Sequence, residues 1–211
     1  MSTETQKLVL DAAEALFMER GFAATSLRSI AATAGVNLAA THYHFGSKQG
    51  LLEALVNRRV TPVNEARLVN LDHLEAQSRE LQVEEILEAF LQPLMTEEAK
   101  HLPPLIGRIF SEPPAVSKPL LEKQFGEVMA RYSAALSKVL PELSLVELRW
   151  RIHYLVGGML QAVNLDSPIG SPEETGVCKF KHLVHFASAG FKAPSLAQSV
   201  KLSGRRHGGK A

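Results

Sequence analysis

The sequence predicts an all-α fold. Apolar residues recur at the three-and-four spacing of an α-helix along most of the chain. The period-2 alternation and paired turn dipeptides of strands are absent, and Pro103-Pro104, Pro113-Pro114, Pro141 and the SPIGSPEE stretch separate the helical segments. At 211 residues, with 45% hydrophobic and 21% charged side chains, the chain has an ordinary globular composition and length for one or two domains.

The first helix carries Val9, Ala13, Leu16 and Phe17 at i, i+4, i+7 and i+8. Gly21 ends it, and Phe22 folds back into a small core. In the second helix Leu27, Ile30, Ala31 and Ala34 form one apolar stripe. Gly35 then supplies a left-handed turn residue, and Asn37 caps a third helix over Leu38–His44. Two short helices joined this tightly are a helix-turn-helix unit, whose second helix enters the DNA major groove. Small Ala39 and Ala40 allow close approach to bases, while Thr41, His42, Tyr43 and His44 bring donors, acceptors and an apolar edge. Base-edge contacts are assigned to Asn37, Leu38, Ala40 and His42. Thr25, Ser26, Arg28, Tyr43, His44 and Lys48 are assigned to positioning on phosphates.

The stretch FMERGFAATSLRSIAATAGVNLAATHYHFGSK resembles the DNA-binding domain of TetR-type transcriptional regulators over about the first fifty residues. Its marks stand in order: Phe17, Gly21, Thr25-Ser26, Ile30-Ala31, Ala34-Gly35-Val36, Tyr43-His44-Phe45 and Lys48. Three positions depart from the family pattern. Thr41 stands where a buried aliphatic residue is common, His42 where tyrosine is common, and Gly50 where a capping box would want Glu.

Ser47 caps a long fourth helix that turns Leu51, Leu52, Leu55 and Val56 inward. Pro62 interrupts it, so a kink or break is expected near Arg58 to Thr61, read as plain irregularity or as a hinge. Further helices are predicted at about 83–99, 104–112, 115–139, 144–166 and 173–192. Residues 1–47 form the expected DNA-binding domain and 48–193 a larger helical domain. Residues 194–211 form a basic tail that reads as disordered.

The last two helices are the most apolar pair. Leu148, Ile152, Leu155 and Met159 line one, and Phe180, Val184, Ala187 and Phe191 the other. Gly157-Gly158 suggests close helix approach. The family resemblance implies that these helices pair with their copies in a homodimer, which suits binding to paired half-sites. It also implies a ligand cavity among the middle helices. Phe90, Met95, Ile109, Phe110, Phe125, Met129, Trp150 and Tyr154 are the large apolar candidates, with Arg108 as a partner for a carboxylate or phosphate. The similarity leans toward members that respond to fatty acids or acyl thioesters. The reading is thus a repressor that binds a near-palindromic operator as a homodimer and is released by a small apolar or amphipathic ligand.

Charge does not settle the function. Residues 1–50 carry four basic and four acidic side chains, whereas 192–211 carry five basic and no acidic ones. The alternative reading is a helical interaction or scaffold protein, which leaves Ala39, Ala40, His42 and Tyr43 without a purpose. Catalysis would have to rest on Cys178 with His182 or His185, or on Asp166 with His153, and none of these pairs has a motif behind it. One cysteine excludes an intrachain disulfide, and no Cys/His spacing resembles a zinc site. Neither cofactor nor metal is expected. No apolar run approaches the roughly 18 to 20 residues of a bilayer span, and the N-terminus lacks a secretory pattern. A cytoplasmic protein without membrane contact is expected.

Overall fold

The computed structural model describes residues 3–96, 99, 102–163 and 176–196; the last three residues of the 144–166 helix, the SPIGSPEE stretch and the basic tail from 197 lie outside them. The described backbone is helical and contains no strand. It comprises α1 (Thr3–Ala24), α2 (Leu27–Thr33), α3 (Leu38–Phe45), α4 (Lys48–Glu75), α5 (Val83–Leu91), a 3-10 turn at Gln92–Met95, α6 (Leu102–Phe110), α7 (Pro114–Val139), α8 (Leu145–Val163) and α9 (Gly176–Lys192). No described helix is long and apolar enough to cross a membrane.

Prolines account for most differences from expectation. The segment expected at 83–99 is α-helical only to Leu91, and Pro93 sits at the start of the 3-10 turn that follows. Pro103 and Pro104 fall in the first turn of α6 instead of before it, where a missing N–H leaves no helical bond unmade. Helix α4 does not break at Pro62; it remains helical to Glu75. Pro62 removes a partner for the Arg58 carbonyl, but Val60 and Val63 on either side are buried and hold the helix in place.

The chain divides into two compact units, residues 1–65 with 101–126 and residues 66–100 with 127–211. The first therefore takes in more chain than residues 1–47. Its core joins Val9, Ala13, Leu16 and Phe17 of α1 to Ile30 and Ala31 of α2 and to Leu51, Leu52, Leu55 and Val56 of α4, all buried. Ion pairs fasten the same helices. Arg58 donates to Asp11 at 2.8 Å and to Glu14 at 3.0 Å, and Arg59 donates to Glu14 at 2.6 Å.

In the second unit α5 and α8 both pack on α9. Its largest buried polar side chain is Arg67, 2% exposed, whose guanidinium lies 4.1 Å from the Phe90 ring centre while Nε donates to the Phe90 carbonyl at 2.9 Å. Burial lowers its pKa to about 10, so it stays charged at neutral pH, with the ring face contributing cation–π stabilisation. Tyr132 donates to the Arg67 carbonyl at 2.8 Å, and burial pushes its phenol pKa up. Arg151 closes the end of α9. Its Nη1 donates to the carbonyls of Gly190, Phe191 and Ala193 at 2.6–2.9 Å, and Nη2 donates to Glu147 at 2.6 Å. A cation among the last carbonyls of a helix satisfies orphan acceptors and suits the helix dipole.

Helix α5 is tied to α9 through Glu84, which accepts from Ser188 and, at 2.5 Å, from Lys192. Those bonds, Lys192 first, lower the Glu84 pKa from 4.5 to about 2. A carboxylate held more strongly as the anion in the folded chain adds stability that is complete above pH 4.5 and is lost as the pH falls toward 2. Melting temperature should therefore fall across that window, and fall less in Glu84→Gln, as read by circular dichroism. Equal falls in the two proteins would show that this carboxylate does not couple folding to pH.

Candidate nucleic-acid interface

The second and third helices are held by short-range bonds that their sequence supplies. Ser26 Oγ accepts from the Ser29 N–H at 3.0 Å, and Ser29 Oγ accepts from the Ser26 N–H at 3.1 Å, a reciprocal cap on α2. Gly35 takes φ 66°, and the Val36 N–H donates to the Ala31 carbonyl at 2.9 Å, so the chain turns at once. An L-residue with a side chain is strained at that φ, which is why glycine stands there. Asn37 Oδ1 accepts from the Ala39 N–H at 2.7 Å and caps α3.

Helix α3 is anchored by one side. Thr41 is fully buried, and its hydroxyl donates to the Asn37 carbonyl at 3.2 Å, so the polar atom in an aliphatic position is satisfied within its own helix. Tyr43 is 85% and Leu38 40% exposed, and Ala39 and His42 are exposed as well. Ala40 is only half-buried, so the outward small residue is Ala39 as much as the expected Ala40. The Tyr43 and His44 rings meet edge to face at 5.3 Å. Asn37 has spent its side-chain oxygen on the cap, leaving its amide N–H groups for any base.

Two of the residues expected on phosphates have internal tasks. Thr25 is 3% exposed and donates to the carbonyls of Gly21 at 2.8 Å and Leu16 at 3.2 Å. Lys48 Nζ donates to the carbonyls of Phe22 at 2.7 Å, Thr25 at 2.8 Å and Ala23 at 3.3 Å, and lies 4.4 Å from the Phe22 ring centre. Ser26 and Arg28 are exposed and His44 half-buried. At Gly50, a Cβ would lie 2.2 Å from the Phe45 carbonyl oxygen, so the close return of the chain before α4 explains the missing side chain.

The residues expected to form a ligand site are divided between the two compact units. Phe90, Met95, Met129, Trp150 and Tyr154 belong to one compact unit and Arg108, Ile109, Phe110 and Phe125 to the other. Phe90 and Ile109 are buried; Phe125 and Met129 are half-buried. Met95, Arg108, Phe110, Trp150 and Tyr154 are exposed. Phe90 and Met129 do line a small pocket with Tyr132 and Ile152, but of about 10 Å³, room for one water.

The residues expected at the dimer contact are largely covered within the single chain. Leu148, Leu155, Met159, Phe180, Val184, Ala187 and Phe191 are each at most 8% exposed within the single chain, and Ile152 is half-buried. Leu155, Ala187 and Phe191 also border an open groove on α8 and α9. The outward faces of α8 and α9 carry different aromatics, Trp150 (55% exposed), Tyr154 (69%) and Phe186 (78%). Exposed aromatics on an otherwise amphipathic helix signal this second face. Cys178 and Asp166 lie outside the described side chains, and no group of metal-ligating residues occurs among those described.

The fold and this site define a helix-turn-helix protein with a larger helical domain after it. Residues 9–55 match the profile of bacterial regulatory proteins of the tetR family, and residues 86–190 match that of the tetracyclin repressor-like C-terminal domain. The chain belongs to the TetR family. It is 35% identical over 74 residues to the HTH-type transcriptional repressor BepR of Brucella suis, covering 34% of this chain and 35% of BepR. It is 42% identical over 57 residues to the probable HTH-type transcriptional regulator YttP of Bacillus subtilis, covering 27% and 28%. These matches thus take in about a third of each relative's length. Over nearly the whole chain the fold is similar to that of native NalD of Pseudomonas aeruginosa, the secondary repressor of the MexAB-OprM multidrug efflux pump, with TM-score 0.63, 21% identity and coverage of 90% and 98%. The SmeT–triclosan complex is similar at TM-score 0.61 and 22% identity, covering 92% and 96%.

Proposed function

We propose that the chain is a DNA-binding transcriptional repressor whose α3 reads the major groove of a near-palindromic operator. The observation that carries the reading is the outward face of α3: Leu38, Ala39, His42 and Tyr43 stand exposed on a short helix capped and buried on its other side. Small residues on that face let the backbone come close, and His42 and Tyr43 supply groups that match base edges or phosphates. A helical scaffold protein has no use for this arrangement.

We place the homodimer contact on the outward aromatic face of α8 and α9. Trp150, Tyr154, Leu183, Phe186 and Leu196 line an open apolar groove there. An apolar patch of this kind on a single chain marks a partner surface, and a helix-turn-helix protein reading paired half-sites requires a two-fold partner. The inducer is placed in the second unit, beside Phe90, Met129, Tyr132 and Ile152, where a small cavity already exists. Apolar walls suit the chain of a fatty acid or acyl thioester, which must widen the cavity to enter and must prefer the DNA-incompetent form. BepR and NalD are described as repressors, and SmeT is described in a complex with triclosan.

Gel-shift assays with genomic DNA fragments test the first reading, and His42→Ala should change the preferred base at a cost of about 1 to 3 kcal/mol. An unchanged preferred sequence would remove His42 from the reading set. Trp150→Glu combined with Phe186→Glu should give folded monomers in sedimentation, because both side chains are exposed in the single chain; a variant that stays dimeric places the interface elsewhere. Fatty acids or acyl thioesters that raise the melting temperature should weaken the gel shift, and a set that stabilises without ever releasing DNA would exclude this class as inducer.

A further inference from the structure

We infer that Lys48 is a positioning residue, a clasp that closes the helix-turn-helix unit at its base, and not a phosphate contact; the inference rests on the DNA-binding reading above. An ammonium has three N–H donors. Three carbonyls, those of Phe22, Ala23 and Thr25, lie within 2.7–3.3 Å of Nζ, and the Phe22 ring covers another side at 4.4 Å. The donors that a phosphate would need are taken up inside the protein.

The place of these carbonyls gives the contact its effect. Those of Phe22 and Ala23 lie at the end of α1, beyond Gly21, where helical acceptors have no partner in their own helix, and that of Thr25 lies just past it. Ser26, which caps α2, follows directly, so the corner 22–25 sets the direction in which α2 leaves. Lys48 itself is the first residue of α4, three beyond the last residue of α3. One ammonium therefore ties the point where the chain enters the helix-turn-helix unit to the point where it leaves. Thr25 braces the same corner from inside, through its bonds to Gly21 and Leu16.

Phosphate contact and clasp separate in the salt dependence of binding. Each neutralised phosphate adds roughly 0.9 to the slope of log affinity against log salt, whereas a side chain that only orients the reading helix adds none. Affinity for a genomic fragment retarded by the wild type is measured over a range of salt for the wild type, Lys48→Met and Lys48→Arg, with amide hydrogen exchange on the free proteins. Lys48→Met keeps the aliphatic stem over Phe22 and removes the charge. It should bind about tenfold more weakly at every salt concentration with an unchanged slope. Amides of α2 and α3 should exchange faster while those of α5 and α9 do not, and Lys48→Arg should restore both. A slope shallower by about 0.9, or unaltered exchange in α2 and α3, overturns the clasp. If Lys48→Met fails to fold, the wild-type lysine ammonium nitrogen signal decides: unmoved by added DNA it supports the clasp, and shifted by DNA it overturns it. Wild-type protein that retards no fragment defeats the DNA-binding reading alone, and the exchange comparison still decides the clasp.

Discussion

An eight-residue helix does not hold itself together in water, because nucleation is unfavourable and too few hydrogen bonds follow it. Everything proposed for α3 depends on supplying that stability from outside. Asn37 caps its start, the Gly46 N–H returns to the His42 carbonyl at 2.8 Å, and fully buried Thr41 anchors one side. The opposite side is then free to stay polar and exposed. The support continues outward, since α3 packs on α2, and Ile30 and Ala31 of α2 belong to the core that α1 and α4 complete.

Among the described residues, several charged side chains fasten helix ends and helix pairs to one another. Asp11 and Glu14 on α1 are met by Arg58 and Arg59 on α4, so acids that cancel the basic residues of the N-terminal fifty in a simple count are neutralised within the fold. Arg131 is likewise held by Asp72 at 2.6 Å and Glu75 at 2.9 Å, and Arg151 by the end of α9. Exposed pairs contribute little each, typically under about 1 kcal/mol. Their effect here is geometric: several join residues more than forty positions apart in sequence.

The all-helical fold was legible in the spacing of apolar residues, and the helix-turn-helix was legible to within about a residue at its helix ends, because Ser26, Gly35 and Asn37 act locally and their chemistry does not need the rest of the chain. What a spacing pattern does not reveal is the partner of a stripe. Leu155 and Val184 read as subunit contacts on a stripe that core residues share, and both are buried within the single chain. The internal bonds of Lys48 and Thr25 are invisible for the same reason, since a polar residue near a DNA-reading helix looks available until its acceptors are known. Arg67 is a cation on an apolar stripe. It occupies the buried i+4 position between Val63 and Leu71, a place where a cation needs a ring face and carbonyls to accept it.

The central claim is that a face of α3, held by its own caps and a small core, reads a two-fold DNA sequence. Selection of bound duplexes from a random pool by the full-length chain tests it most directly. The account predicts enrichment of one near-palindromic motif whose half-site centres lie about 34 Å or a near multiple apart, and loss of that enrichment when Tyr43 and His42 are both replaced by Ala. A pool that emerges without an enriched motif, or the same motif enriched by the doubly substituted protein, would contradict it.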